Sequence, residues 1–413
     1  MAGTTHVYAC VAATTGMTHS GSLGGVFRQT VGDKGWKQLT NGLSEGAEVH
    51  AITVHPGDND TVFVGSTKGL FRSANRGDKF ERLPLPDAEA DIWSILVHPK
   101  DPRRLYAGAS PTGVYRSDDG GDHWKKLADP GLPDRVIMAF ACRVMRLDVD
   151  PTSPDDVYAT IEANGAMRSR NAGESWEDCT ADLIRFCEEP KYRSRIGSQT
   201  EIEGMLDGHA LACSAAAPGT VFLANRMGLF RSANRGETWE DMDIGRFSPL
   251  TYGRDIRTSP HDPKVLYAAL SPAARSTDGS IYRSDDVGRT WKRFDHDIKA
   301  DATMMGVIVH PKDPNQVYGV SRAGQVFGTQ DGGKSWSEHR LPEGVRDTYC
   351  VACGCVAAQP LSRIAGEGGE RSDPAECLGD TPLAHLALRA VRQRERQESA
   401  MSFQRLHFRF NGF

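Results

Sequence analysis

At 413 residues with a formal net charge of −5 and 25% charged residues, the chain has an ordinary globular composition. Acidic and basic residues are interspersed, which argues against nucleic acid as a partner. No apolar run approaches a membrane span, and Met1 to Gly16 lack the basic flank and apolar stretch of a signal peptide.

In chain order, the first predicted strand is His6-Val7-Tyr8-Ala9-Cys10, followed by Phe27-Arg28-Gln29 running to Trp36. An alternating strand over Val49 to Val54 comes next. Then a phrase appears that returns along the chain: an apolar residue, Arg, Ser, any residue, Asp or Asn, any residue, Gly, two residues, and Trp. Its copies are Ser73, Asn75 and Gly77 ending at Phe80; Ser117, Asp119, Gly121 and Trp124; Ser169, Asn171, Gly173 and Trp176; Ser232, Asn234, Gly236 and Trp239; Ser284, Asp286, Gly288 and Trp291; and Thr329, Asp331, Gly333 and Trp336. Phe27 to Trp36 is a worn copy. The phrase reads as a hairpin turn. Asp or Asn folds onto turn N–H groups, Ser or Thr adds a second bond, Gly supplies positive φ, and the Trp ring packs on the turn.

Each unit also carries an upstream strand, often a His-Pro-x-Asp-Pro turn as at His98 to Pro102 and His310 to Pro314, and a second strand such as Leu105 to Gly108 or Val317 to Val320. Four strands repeating every ~45 residues predict a propeller blade. The chain starts on a second strand, and an orphan first strand, Arg346 to Val351, follows the last copy. Pairing the two closes the ring and removes exposed edges. The expected fold is therefore an all-β, seven-bladed propeller of four-stranded blades over residues 1–358, its first blade closed by a C-terminal strand. Residues 359–413 hold no lysine and many Arg and Glu, and read as an irregular or disordered tail with a possible helix over Leu383 to Gln397.

The repeated phrase resembles the Asp-box (BNR) repeat of sialidases, sortilins and photosystem II assembly factors, over about residues 6 to 357. The resemblance implies recognition, as in the sortilin-like and assembly-factor propellers, or glycoside hydrolysis of an acidic sugar, as in sialidases. The Phe/Tyr-Arg-Ile-Pro motif of sialidases is not matched, and Tyr252 with Glu48 is only a positional counterpart of their Tyr–Glu pair.

Strand alternation puts the Asp-box turns on one face and the longer insertions on the other. The insertions run from Ala12 to Gly24, Ala128 to Cys142, Cys179 to Gly208 and Ser271 to Ser280. Ala181 to Cys187 reads as a short helix within one of them. Variable loops on a rigid scaffold are the expected seat of binding. The innermost strands begin there with Glu48, His50, Asp91, Trp93, Arg143, Asp207, His209, Tyr252, Arg254, Asp255, Arg346 and Asp347, with Glu162 and Asn164 facing the same way. Arg143, Arg254 and Arg346 are candidates to grip a carboxylate or phosphate. The competing expectation is that these charges satisfy one another around a solvated channel. A weaker reading is a metal-dependent lyase or hydrolase on His50, Asp207 and His209.

The expected partner is a small anionic ligand or a protein, with no cofactor and no metal. Nine cysteines in irregular spacing argue for reduced thiols and a cytoplasmic setting. Cys350, Cys353 and Cys355 have a metal-like spacing, but they lie on an apolar strand where a ligand set needs a turn, so a structural role is expected.

Overall fold

The computed structural model describes residues 3–12, 24–129, 135–345 and 347–356. The predicted helix over Leu383 to Gln397, and the tail that holds it, lie outside these residues. The described chain forms seven antiparallel sheets of four strands each. We number the blades in chain order. Their innermost strands are Thr348–Val356, Val49–Val54, Asp91–Val97, Val144–Val149, Gly208–Cys213, Tyr252–Thr258 and Met304–Val309. Each touches the innermost strand of the next blade, and the last touches the first, so the sheets form a closed ring. Blade 1 takes its innermost strand from the far end of the domain. Thr348–Val356 pairs antiparallel with Thr4–Val11, which pairs in turn with Gly25–Thr30.

The core lies between blades, where apolar faces of neighbouring sheets meet. Ile92, Leu105 and Ala107 of blade 3 pack with Phe63 and Leu70 of blade 2, for example. The ring needs small residues near its axis. A Cβ on Gly108 would sit 2.5 Å from Val144 Cγ1 of the next blade, and one on Gly65 would sit 2.6 Å from Ile92 Cγ2.

The repeated turn has one geometry in all six copies. The Ser or Thr hydroxyl accepts from the turn glycine N–H at 2.7–2.9 Å, as from Gly236 to Ser232, and donates to the Asp or Asn side chain at 2.8–2.9 Å. That side chain then accepts the N–H four residues on, at 2.9 Å. Trp124 and Trp291 donate their indole N–H to the turn carbonyls of Gly121 and Gly288. One feature goes beyond the predicted turn. The residue before the glycine is also left-handed, and its N–H donates to a carbonyl of the first-to-second-strand turn of the same blade, as from Val287 to Lys264. This bond holds both turns on one face.

On that face, neighbouring blades are latched. His98 Nδ1 accepts from Lys100 and Asp101, leaving Nε2–H to reach the Pro154 carbonyl of the next blade at 2.9 Å. His55 reaches Pro102 in the same way, and His261, which follows a Ser-Pro step instead, reaches the His310 carbonyl at 2.8 Å. The His-Pro turn thus joins blades as well as strands.

Val287 has φ 62°, where Gly120 and Gly332 stand in two other copies. A β-branched residue is strained in this region. Val287→Gly is expected to stabilise the protein by about 0.5–1 kcal/mol, read as a higher melting temperature. A lower one would contradict the strain account.

Candidate functional site

Every innermost strand carries a β-bulge near its start on the loop face, and in each blade one extra residue is left without a cross-strand partner. From blade 1 to blade 7 these are Tyr349, His50, Trp93, Met145, His209, Arg254 and Met305. A bulge re-aims its side chain and sharpens the local twist. Here it is repeated around the axis, so the channel mouth carries a ring of one residue per blade. Four of them (His50, Trp93, His209 and Arg254) were legible as polar or aromatic strand starts. Tyr349, Met145 and Met305 were not, because apolar residues at strand starts look like core.

One side of the mouth is a ladder of flat groups. His50 stacks on Trp93 with ring centres 3.7 Å apart, the Arg143 guanidinium lies 4.0 Å over the other face of Trp93, and Phe140 covers Arg143 at 4.3 Å. Tyr349 meets Trp93 edge-on at 5.7 Å. The Asp91 carboxylate ties the ladder down, accepting from Trp93 Nε1 at 2.7 Å and pairing with His50 Nδ1 at 3.0 Å. Glu48 approaches His50 Nε2 at 3.9 Å, and burial raises its pKa. Arg143 is ion-paired with Glu162, off the axis of its Nε–H. Arg143 is therefore not available to grip a ligand as the sequence suggested, because its charge and both its faces are used internally. Trp93 likewise has both faces covered.

The opposite side centres on Asp207. Its Oδ2 takes both Arg226 Nε at 2.9 Å and a terminal guanidinium nitrogen at 2.5 Å, and lies 3.5 Å from His209 Nε2. His209 Nδ1 bonds the Gly253 carbonyl at 2.7 Å, and Nε2 lies 3.2 Å from the Tyr252 hydroxyl. Burial alone would raise Asp207, but His209 and Arg226 outweigh it and hold the carboxyl well below the usual range. Burial raises Glu162 to about 7 against the pull of Arg143, with Asp207 adding to the rise. Two carboxyl groups at one mouth are thus pushed apart in acidity. Burial also pushes Tyr252 up to about 12 and lowers His209 despite Asp207. His50 belongs to blade 2 and His209 to blade 5, and among the described residues no three His, Cys, Asp or Glu side chains gather as a metal site.

Arg254 differs from the other mouth arginines. Its guanidinium lies 5.9 Å from the Tyr349 ring centre, and among the described residues it makes no hydrogen bond and no ion pair. Burial raises the Tyr349 phenol, while Arg254, Arg322 and Arg143 all pull it down. Asp255, the next residue, points deeper into the channel. It is 2% exposed and bridges Arg146 at 3.0 Å and Arg257 at 3.2 Å while accepting the Val307 N–H. That internal pairing removes Asp255 from the ligand-facing set in which the sequence placed it. Arg346 lies outside the described residues.

Beside the mouth, the loop face opens into a cleft of about 710 Å³ between blades 6, 7 and 1. Arg275, Arg322 and Arg340 line it, with Ser276, Thr277, Glu343 and Asp347. Arg340 pairs with Asp301 and Glu338, and Arg322 with Asp347 at 2.7 Å. Arg275 is exposed and, among the described residues, has no hydrogen bond or ion pair. Arg275, Arg322 and Arg340 are residues the strand-start reading passed over, whereas Asp347 is one it named. The Ser271 to Ser280 insertion also pointed there. A second cavity of about 390 Å³, lined by Phe140, Met138, Ile137 and Asn164, lies under the Ala128 to Cys142 insertion. The Cys179 to Gly208 insertion forms the helices Ala181–Phe186 and Glu203–Leu206. It is pinned by buried Glu203, which takes the N–H groups of Ile196, Gly197 and Ser198.

With this geometry in hand, the chain can be set against known proteins. The Sortilin-Vps10 family (sortilin, neurotensin receptor 3) matches residues 279–351. An oligoxyloglucan-reducing end-specific xyloglucanase from Emericella nidulans is 22% identical over 310 residues, which is 65% of this chain and 37% of that protein. Vacuolar protein sorting/targeting protein 10 from Mycosarcoma maydis is 35% identical over 68 residues, 16% of this chain and 4% of that protein. Among solved structures, the family GH74 xyloglucanase from Xanthomonas campestris superposes with a TM-score of 0.57 at 18% identity, over 86% of this chain and 52% of that one. The protein YCF48 from Cyanidioschyzon merolae superposes at 0.50 and 14% identity, over 76% and 90%. The fold is thus that of the sortilin-like and glycosyl hydrolase-like propellers, and the chain spans little more than a third of the xyloglucanase from Emericella nidulans.

Proposed function

We propose that this chain is a binding propeller that takes a small anionic ligand on its loop face, in the cleft beside the channel mouth. The observation that carries the reading is Arg275, a guanidinium without a partner among the described residues, in a cleft that also holds Arg322 and Arg340. Arginine holds carboxylate and phosphate through its fixed fork of donors, and an unpaired one in a concave site is poised for that role. Arg322 already binds the Asp347 carboxylate, so the cleft wall displays the contact a ligand would repeat. The test is thermal melting with citrate, inorganic phosphate and glucuronate, each against chloride at matched ionic strength. At least one anion is expected to raise the melting temperature, and Arg275→Ala and Arg322→Ala to abolish the rise, while the exposed Arg246→Ala retains it. No response to any anion would defeat the proposal and favour a protein partner.

A second reading, glycoside hydrolysis, has its own observation. Glu162 is held near neutral and Asp207 strongly acidic at the same mouth, the split an acid and a base require. The similarity to xyloglucanases directs this reading toward xyloglucan and away from an acidic sugar. Release of new reducing ends from xyloglucan, lost in Glu162→Gln, would favour it. The pairing of both carboxylates with arginines is why binding ranks first.

A further inference from the structure

Cys10 and Cys350 stand directly opposite each other across the seam that closes the ring. Cys10 lies on Thr4–Val11 and Cys350 on Thr348–Val356, and the two are register partners in the antiparallel pair. Directly opposed residues point to the same side of a sheet, and both side chains pack into the same apolar cluster with Tyr8, Val49 and Val64. Opposed antiparallel residues have Cα atoms ~4.5–5.5 Å apart, inside the range a disulfide spans. Both thiols are free. Cys10 is fully buried, and Cys350 is partly exposed and donates to the His50 carbonyl at 3.5 Å.

From this pairing we infer that Cys10 and Cys350 are an oxidisable dithiol whose disulfide locks the propeller shut at its seam. The chemistry has a defined direction. Cys350 is the attacking sulfur, being the more accessible of the two, and its thiol is eased toward the thiolate by the Cys10 thiol, with Arg146 and Arg257 adding to this against burial. With hydrogen peroxide as oxidant, Cys350 sulfur attacks one peroxide oxygen, the O–O bond breaks, and the departing hydroxide leaves as water with the thiol proton. Cys350 is now a sulfenic acid. Cys10 sulfur then attacks Cys350, the S–S bond forms, the S–O bond breaks, and a second water leaves with the Cys10 proton. Both sulfurs are oxidised and the peroxide is reduced to two waters.

The seam matters because it is where the two ends of the domain meet. It is held by backbone hydrogen bonds and packing, while a disulfide there closes a covalent loop around nearly the whole ring. It also fixes the bulge that carries Tyr349, the residue beside Cys350, and so couples thiol state to the mouth. This inference does not depend on the proposed ligand.

The full chain is treated with hydrogen peroxide, alkylated, and digested without reduction. A peptide linking Cys10 to Cys350 is expected, with loss of two hydrogens from the intact mass. The melting temperature should rise by ~3 °C or more and return on adding dithiothreitol. Cys353→Ser, on the same strand, is expected to leave the bridge intact. Cys10→Ala should stop at a Cys350 sulfenic acid that dimedone captures. If that variant does not fold, dimedone capture in the native chain at short times gives the same readout. Recovery of Cys10 as a free thiol while Cys350 is oxidised to sulfinic acid, or bridging of Cys350 to any other cysteine, would overturn the inference.

Discussion

Asp255→Ala is expected to destabilise the protein by about 3 kcal/mol, the cost of leaving buried charge unpaired. Asp255 is almost fully buried and its two oxygens engage Arg146 and Arg257, from different blades, together with the N–H groups of Ile256 and Val307. Removing it leaves two guanidinium groups facing each other across the channel. Burial and Arg257 already weaken the hold of Arg146 on its proton, lowering it to about 10. Asp255→Asn should fall between wild type and Asp255→Ala, because it keeps hydrogen-bond acceptance and loses the charge. Equilibrium unfolding in urea measures both. An Asp255→Ala loss below about 1 kcal/mol, the scale of a surface pair, would show that the channel is wet enough to screen the cluster.

Glu162 is expected to make stability fall as pH rises. Its pKa is raised from 4.5 to about 7 in the folded chain. Between those values the folded state binds more protons than the unfolded state, so stability declines across that window and is flat above it. A slope approaching 1.4 kcal/mol per pH unit is the limit for one group, and a total of about 3 kcal/mol is expected across the window, the pull of Arg143 being already contained in the folded value. Glu162→Gln should remove this decline. Asp148, raised by burial to about 6, contributes a similar fall from its reference value of 3.8 and should persist in the variant. Asp207 acts in the opposite sense, since its lowered pKa supplies stability that is lost only in strong acid, as pH drops through the folded value. Unfolding free energies of wild type and Glu162→Gln from pH 4.5 to 8 separate these contributions. Parallel profiles would show that Glu162 is ionised throughout.

The fold was legible because its signals are local and repeated. A hydroxyl, an amide or carboxyl, and a glycine at fixed offsets make one turn wherever they occur, and six copies in register define blades. The site was only half legible. Strand alternation picked out His50, Trp93, His209 and Arg254, which are the bulged residues of their strands. It did not show that Arg143 would be spent on Glu162, Trp93 and Phe140, since that needs a neighbouring blade and an insertion as well as its own blade. Nor did it show that Arg275 and Arg322 would share a cleft, because one lies in an insertion and the other in a short loop of the next blade.

Sequence by itself determined the number of blades and their turns, because these depend on contacts within a few residues and recur. Only the tertiary structure decided which charges are spent and which remain. An arginine at a strand start has the same local chemistry whether or not a carboxylate arrives from the neighbouring blade. The ring of bulged residues belongs to the same class. A bulge is one extra residue counted against a partner strand, and a strand read alone has no partner to count against. Closure around the axis brings the seven bulges into one ring, and with it sets Arg254 against Tyr349 and Cys350 against Cys10.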